Sequence, residues 1–95
     1  MEKLKIVWTK KARRVFNENA IYMSKNWSEK TVNEFSSKVF GNINLLSKFP
    51  NMGEFDENLN MRKLLVHPDL YLLYQVENED LIIVSFFNNN QKPIA

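Results

Sequence analysis

The stretch from residue 61 to residue 87 places the strongest limit on how this chain can fold. It contains three short runs rich in aliphatic, aromatic and β-branched residues, at 61–66, 70–76 and 81–87. Two polar connections separate these runs, at 67–69 and 77–80. Neither connection has room for a crossover helix, so consecutive runs must pair as antiparallel strands. The stretch therefore predicts a three-stranded meander.

The residues before the meander predict one further strand and two helices. A short strand over 4–8 is followed by Thr9, a good N-cap, and by a helical pattern from 10 to about 24. A second helical pattern begins after Ser28 and ends near Pro50, and 51–60 has the composition of a loop. The core-facing stripes are predicted to be Ala12, Val15, Phe16, Asn19, Tyr22 and Met23, then Val32, Phe35, Val39, Phe40, Ile43, Leu45, Leu46 and Phe49.

The order β-α-α-β-β-β predicts an α+β fold with two layers. Two helices joined by a short link form an antiparallel hairpin. We expect this hairpin to pack on one face of a mainly antiparallel sheet. Ninety-five residues suit a single domain, 1–95, in which 88–95 forms a polar tail.

The alternation of side chains along the meander predicts one covered face and one open face. The face expected against the helices holds Leu64, Val66, Leu70, Leu72, Tyr74, Val76, Ile82, Val84 and Phe86, with the Tyr74 hydroxyl reaching outward. The open face is expected to hold Met61, Lys63, Leu65, Tyr71, Leu73, Gln75, Leu81, Ile83, Ser85 and Phe87. An apolar face that its own chain leaves open indicates a protein partner. The alternatives are that the first strand, the tail or a neighbouring molecule in a crystal covers this face, or that a bulge shifts the face assignment.

Composition limits the other classes of function. The chain has no cysteine and one histidine, which argues against a zinc site, and no motif for a cofactor is present. No apolar run is long enough for a signal peptide or a membrane span, so we expect a cytoplasmic protein with no membrane partner. The net charge is only +2, but the first fourteen residues hold Lys3, Lys5, Lys10, Lys11, Arg13 and Arg14. Such a cluster attracts polyanions or simply forms a solvated helix face.

Five residues are candidates for chemistry on a nucleic acid. His67 is the one histidine, and histidine is the residue type that most readily transfers protons near neutral pH, although a turn histidine is the plainer interpretation. Arg62 and Lys63 could hold a phosphate, although Arg62 falls on the helix-facing side and could instead pair with a carboxylate. Tyr71 could stack a base, and Lys92 adds charge in the tail.

The order and spacing of several segments resemble the RelE/ParE superfamily of type II toxin–antitoxin toxins. The resemblance covers nearly the whole chain. Its segments are Val7-Trp8-Thr9 with Ala12, then Phe35, Ile43, Leu46 and Pro50 with Gly53, then 62–66, 71–74, 82–84 and Gln91-Lys92-Pro93.

This resemblance implies a fold, a partner and two alternative targets. It implies the β-α-α-β-β-β arrangement and a cognate antitoxin that covers apolar surface. The RelE-like branch cuts messenger RNA on the ribosome without metal, and the ParE-like branch inhibits DNA gyrase without catalysis. The resemblance leads us to expect ribosome-dependent mRNA cleavage, with Arg62 and His67 as catalytic candidates and Lys63, Tyr71 and Lys92 as substrate-binding candidates.

Two departures from the RelE-like pattern keep the alternatives open. RelE-like ribonucleases often carry an arginine where this chain has Leu72, and another near 88–90, which here reads Asn-Asn-Asn. Gyrase inhibition, or an inactive relic that still binds a partner, therefore remains an alternative to mRNA cleavage.

Overall fold

The computed structural model describes residues 3–67 and 70–88 and confirms the predicted α+β architecture. Its elements are β1 (Lys5–Trp8), α1 (Lys10–Asn26), α2 (Glu29–Lys48), a 3-10 turn (Pro50–Met52), β2 (Glu54–Asp56), β3 (Met61–His67), β4 (Leu70–Glu77) and β5 (Asp80–Asn88). Within the described residues, the strands form one five-stranded sheet in the order β1-β5-β4-β3-β2. The β1 strand runs parallel to β5, and every other neighbouring pair is antiparallel.

Both predicted N-caps are confirmed. The Thr9 hydroxyl accepts a hydrogen bond from the Ala12 N–H at 3.0 Å, and Ser28 accepts one from the Thr31 N–H at 3.2 Å. The Thr9 hydroxyl also lies 2.9 Å from the carbonyl oxygens of Ile83 and Val84, to which it can donate. The start of α1 is thereby attached to the middle of β5.

The predicted end of α1 was too early. The helix runs to Asn26 rather than ending near Ser24. The Asn26 side-chain amide donates to the Tyr22 carbonyl at 2.8 Å, and the Trp27 N–H donates to the Met23 carbonyl at 2.7 Å. These bonds pair carbonyls of the last turn that a helix end otherwise leaves without partners.

The core lies between the helical hairpin and one face of the sheet. Its buried apolar residues are Ala12, Met23, Phe35, Val39, Ile43, Leu46, Val66, Leu70, Leu72, Tyr74, Leu81, Ile83 and Phe86. The predicted helix stripes were too wide, because Tyr22, Phe40, Leu45 and Phe49 are all at least 46 % exposed. Phe40 still touches the core edge, with its ring centroid 5.4 Å from that of Phe16.

The segment predicted as the 51–60 loop contains a strand. β2 pairs with β3 through the register Glu54 with Lys63 and Asp56 with Met61. The Asp56 carboxylate accepts hydrogen bonds from the Asn58 N–H at 2.9 Å and the Leu59 N–H at 3.2 Å, which closes the turn to β3. The composition predicted a loop because two of the three strand residues, Glu54 and Asp56, are acidic, and acidic residues are depleted in strands.

A register shift in β5 overturns part of the predicted face assignment. Leu73 pairs with Ser85, but the next residue, Tyr74, pairs with Ile83, so Val84 is the extra residue of a bulge. The bulge reverses the alternation before it, and therefore Leu81 and Ile83 face the helices whereas Ile82 lies on the opposite face. Ser85, expected on the open face, is buried.

Among residues 3–67 and 70–88, no helix is both long enough and apolar enough to cross a bilayer.

Candidate functional site

The sheet face opposite the helices carries a band of apolar side chains. We call Leu65, Tyr71, Leu73, Ile82 and Phe87 the open sheet face. The register places these residues on one side: Tyr71 pairs with both Leu65 and Phe87, and Leu73 lies between Lys63 and Ser85. All five keep accessible surface, and Leu65 is 45 % exposed. Both α1 and α2 lie on the other side, so no helix within residues 3–67 and 70–88 covers the open sheet face.

Lys63 and Tyr71 come together on this face. The Lys63 Nζ lies 5.1 Å from the centre of the Tyr71 ring, and that ring stacks on Phe87 with centroids 5.2 Å apart and an interplanar angle of 18°. The Lys63 Nζ also donates to Asp56 Oδ2 at 3.1 Å. The arrangement is a flat aromatic pair with a cation beside it, which suits stacking against a planar or aromatic group.

The ion pair between Lys63 and Asp56 perturbs both groups. The hydrogen bond from Lys63 lowers the pKa of Asp56, and the same bond raises the pKa of Lys63. Each partner therefore favours the charge of the other. The Lys63 ammonium already has a carboxylate partner, so a phosphate would have to compete with Asp56 for it.

Arg62 lies on the helix side of the sheet, as its position in the strand predicted. It pairs in register with the buried Tyr74, and its Nη1 donates to the Gly53 carbonyl at 2.7 Å. Among the described residues, Arg62 thus binds a backbone carbonyl and not the carboxylate that the sequence offered as a possibility. Arg62 also lines a cleft of about 380 Å³ beside the 3-10 turn, together with Pro50, Asn51, Phe55, Asn60, Met61, Tyr74, Gln75, Val76 and Glu77.

The Tyr74 hydroxyl does not reach outward as the sequence suggested. Tyr74 has no exposed surface, and its hydroxyl donates to the Pro50 carbonyl at 2.7 Å and accepts from the Gly53 N–H at 2.9 Å. Burial raises the pKa of Tyr74, against smaller lowering effects of the Gly53 hydrogen bond and the Arg62 charge. Tyr74 and Arg62 together hold the turn that follows α2, so the visible contacts of Arg62 are structural.

His67 lies at the other end of β3 from Arg62. Its ring packs edge-on against Phe35 with centroids 5.4 Å apart, on the helix side of the sheet. Five residues of extended strand span about 17 Å, so the two catalytic candidates are far apart. The structure therefore brings together Lys63 and Tyr71, and it separates both from Arg62 and His67. Lys92 lies outside the described residues.

Two residues of the Lys63 cluster were missed as site residues. Asp56 lies in the segment 51–60 that was predicted to be a loop, and Phe87 was placed on the open face without a role in a site. The pairing of β2 with β3 brings Asp56 to Lys63, and the pairing of β4 with β5 brings Phe87 to Tyr71. Alternation along β5 placed Phe87 on the correct face. Nothing in the local sequence predicted the β2 strand, so the position of Asp56 beside Lys63 could not be predicted.

Known proteins share this architecture. The fold defines a class of small α+β proteins in which a helical hairpin covers one face of a mixed sheet and the other face stays open. A family model described as the ParE toxin of the type II toxin–antitoxin system parDE matches residues 6–92. The chain belongs to this ParE toxin family. No curated protein matches the chain.

Solved structures show the same fold at low sequence identity. A chain of the chromosomal ParDE toxin–antitoxin system from P. aeruginosa matches with a TM-score of 0.78 and 13 % identity, over 90 % of this chain and 96 % of that chain. A metal-bound toxin from Helicobacter pylori matches with a TM-score of 0.56 and 21 % identity, over 93 % and 97 %. A copper-bound mutant toxin from the same organism matches with a TM-score of 0.60 and 14 % identity, over 93 % and 97 %.

Proposed function

We propose that this ParE-family toxin inhibits DNA gyrase by binding it, without catalysis, in the cytoplasm. We further propose that a cognate antitoxin neutralises the toxin by covering the open sheet face. The family match and the ParDE neighbour support a toxin with an antitoxin partner. The choice of gyrase over messenger RNA rests on the positions of the residues that RNA cleavage would use.

The positions of Arg62, Lys63 and His67 are the observation that supports gyrase over messenger RNA. Metal-free RNA cleavage requires charge stabilisation and proton transfer at one scissile phosphate, by groups within hydrogen-bond reach of it. Arg62 and His67 lie at opposite ends of the helix side of β3, and Lys63 lies on the other face in an ion pair. One phosphate cannot contact all three groups in this arrangement.

A supercoiling assay with purified gyrase tests the target. We expect the toxin to abolish negative supercoiling of a relaxed plasmid and to leave translation in a reconstituted extract unaffected at the same concentration. Toxin premixed with its cognate antitoxin should leave supercoiling intact. Full supercoiling beside a loss of translation would refute the gyrase target.

A matched pair of leucine substitutions tests the antitoxin surface. Leu65 on the open sheet face and Leu45 on α2 are 45 % and 46 % exposed, so a charge at either site should disturb the fold equally little. We expect Leu65→Glu to weaken antitoxin binding at least tenfold by calorimetry and Leu45→Glu to leave it within a factor of two. Equal effects of the two substitutions would show that the antitoxin binds elsewhere.

One observation favours the second candidate, ribosome-dependent mRNA cleavage. The Lys63, Tyr71 and Phe87 cluster has the flat aromatic surface and the cation that hold an exposed base. Under this alternative, Arg62→Ala and His67→Ala should each reduce cleavage of ribosome-bound messenger. Melting curves must accompany Arg62→Ala, because that change also removes a hydrogen bond to Gly53. Cleavage that persists in both variants would remove these two residues from any active site.

A further inference from the structure

The first turns of α1 carry a dense group of exposed cations. We call Lys10, Lys11, Arg13 and Arg14 the basic surface, and all four are exposed. At 100° per residue they point away from the buried side, which Ala12 marks with no accessible surface. None of the four side chains forms an ion pair or a hydrogen bond with another side chain in residues 3–67 and 70–88.

The position of these cations opposes the stability of the helix. The start of a helix has a positive partial charge, so cations there are unfavourable, and the first turn of α1 holds no acid to offset them. Lys10 with Arg14, and Lys11 with Arg14, are also like-charge neighbours at helical spacing. Neither packing nor helix electrostatics accounts for the basic surface.

The second helix shows the opposite arrangement in the same molecule. It has Glu29 in its first turn and Lys48 in its last turn, which is the order that the helix dipole favours. Two of its exposed lysines, Lys30 and Lys38, share their surface with Glu29 and Glu34. The basic surface on α1 is therefore a local feature of the β1–α1 corner and not a general property of the helical layer.

We propose that the basic surface binds the phosphate backbone of duplex DNA. Lysine and arginine side chains that have no carboxylate partner bind phosphates by releasing condensed counterions, without reading the base sequence. The choice of duplex DNA among polyanions rests on the proposed gyrase target, because duplex DNA is the substrate of gyrase. The toxin thereby contacts both the enzyme and the DNA that the enzyme holds.

Binding of labelled duplex DNA by the toxin alone tests this inference without gyrase. Fluorescence anisotropy with a 20-base-pair duplex, repeated at several salt concentrations, gives the slope of log affinity against log salt. Four phosphate contacts predict a slope of about −3.6. The variant Lys10→Gln/Lys11→Gln should lower the affinity and make the slope shallower by about 2.

A second double variant supplies the matched control. Lys30→Gln/Lys38→Gln removes the same charge from exposed lysines of α2 and should leave the affinity and the slope close to wild type. Lys10→Gln/Lys11→Gln should also melt no lower than wild type, because it relieves repulsion at the helix start. A lower melting temperature together with weaker DNA binding would overturn the inference, since loss of folding would then explain both.

Three other outcomes would overturn the proposal. They are the absence of duplex binding at 50 mM salt, an equal loss of affinity in the two double variants, and tighter binding to single-stranded RNA or to a polyglutamate peptide than to the duplex. The outcome of the supercoiling assay does not depend on the outcome of the DNA-binding assay. Duplex binding with the predicted slope but no inhibition of supercoiling would refute the gyrase target and leave the DNA-binding surface standing.

Discussion

Replacing Tyr74 with phenylalanine removes the hydroxyl that joins β4 to the turn after α2. The Tyr74 hydroxyl donates to the Pro50 carbonyl and accepts from the Gly53 N–H, and Tyr74 has no accessible surface. Phenylalanine keeps the packing but leaves the Gly53 N–H buried without that partner, which typically costs 1–3 kcal/mol. We therefore expect a loss of about 2 kcal/mol in the free energy of unfolding. For a domain of this size, that corresponds to a melting temperature lower by roughly 8–16 °C.

Urea unfolding followed by far-UV circular dichroism measures this loss. Tyr22→Phe is the matched control, because Tyr22 is 62 % exposed and should change the free energy of unfolding by less than about 0.5 kcal/mol. The slope of free energy against urea should be the same in all three proteins, since the exposed area on unfolding is unchanged. A Tyr74→Phe loss no larger than that of Tyr22→Phe would refute the reasoning.

Tyr74 also predicts a loss of folding stability at high pH. Burial raises the pKa of Tyr74 above its ordinary value of 10.0. The unfolded chain therefore ionises this group at a lower pH than the folded chain does, and the wild type should lose stability as the pH rises above about 10. Tyr74→Phe lacks the group, so its stability should fall less steeply over that window. An identical decline in wild type and variant would contradict the assignment to Tyr74.

Three further substitutions test local details. Gly53→Ala should destabilise by about 2 kcal/mol or more, because a Cβ there would lie 2.7 Å from Tyr74 Cε1 and 2.8 Å from the Lys63 carbonyl oxygen; unchanged urea unfolding would contradict this contact. Gly41→Ala should instead stabilise by about 1 kcal/mol, because Gly41 lies inside α2 and a Cβ there meets nothing within 4 Å. Asp56, whose pKa the Lys63 hydrogen bond lowers from 3.8, stabilises the fold above that pH. Wild type should therefore lose more stability than Asp56→Asn as the pH falls through 3.8 and below, and equal acid profiles would show that the ion pair contributes nothing.

The sequence predicted those elements whose signals are local. Thr9 and Ser28 mark the helix starts because a side-chain oxygen bonds a backbone N–H three residues later. The meander followed from connections too short for any other pairing. The placement of Arg62 on the helix side followed from simple alternation, since the first part of β3 contains no bulge.

Predictions failed where an irregularity or a distant contact decided the outcome. The extra residue Val84 reversed the faces of Leu81 and Ile83, and alternation by itself cannot place a bulge. Strand β2 was missed because its residues are mostly acidic and exposed, and only pairing with β3 makes them a strand. The candidate site was predicted less well than the fold. Asp56 contacts Lys63, and Phe87 contacts Tyr71, only across neighbouring strands.

The sequence by itself therefore determined the layers of this protein and its relation to the toxin superfamily. Helical periodicity, caps and short connections act over a few residues, so they can be read along the chain. Only the tertiary structure decided which charged groups share a surface. Alternation already placed Arg62 and Lys63 on opposite faces, but only the folded chain brought the Gly53 carbonyl to Arg62 and the Asp56 carboxylate to Lys63. Successive strand residues point to opposite faces, and the partner each one meets comes from a distant part of the chain.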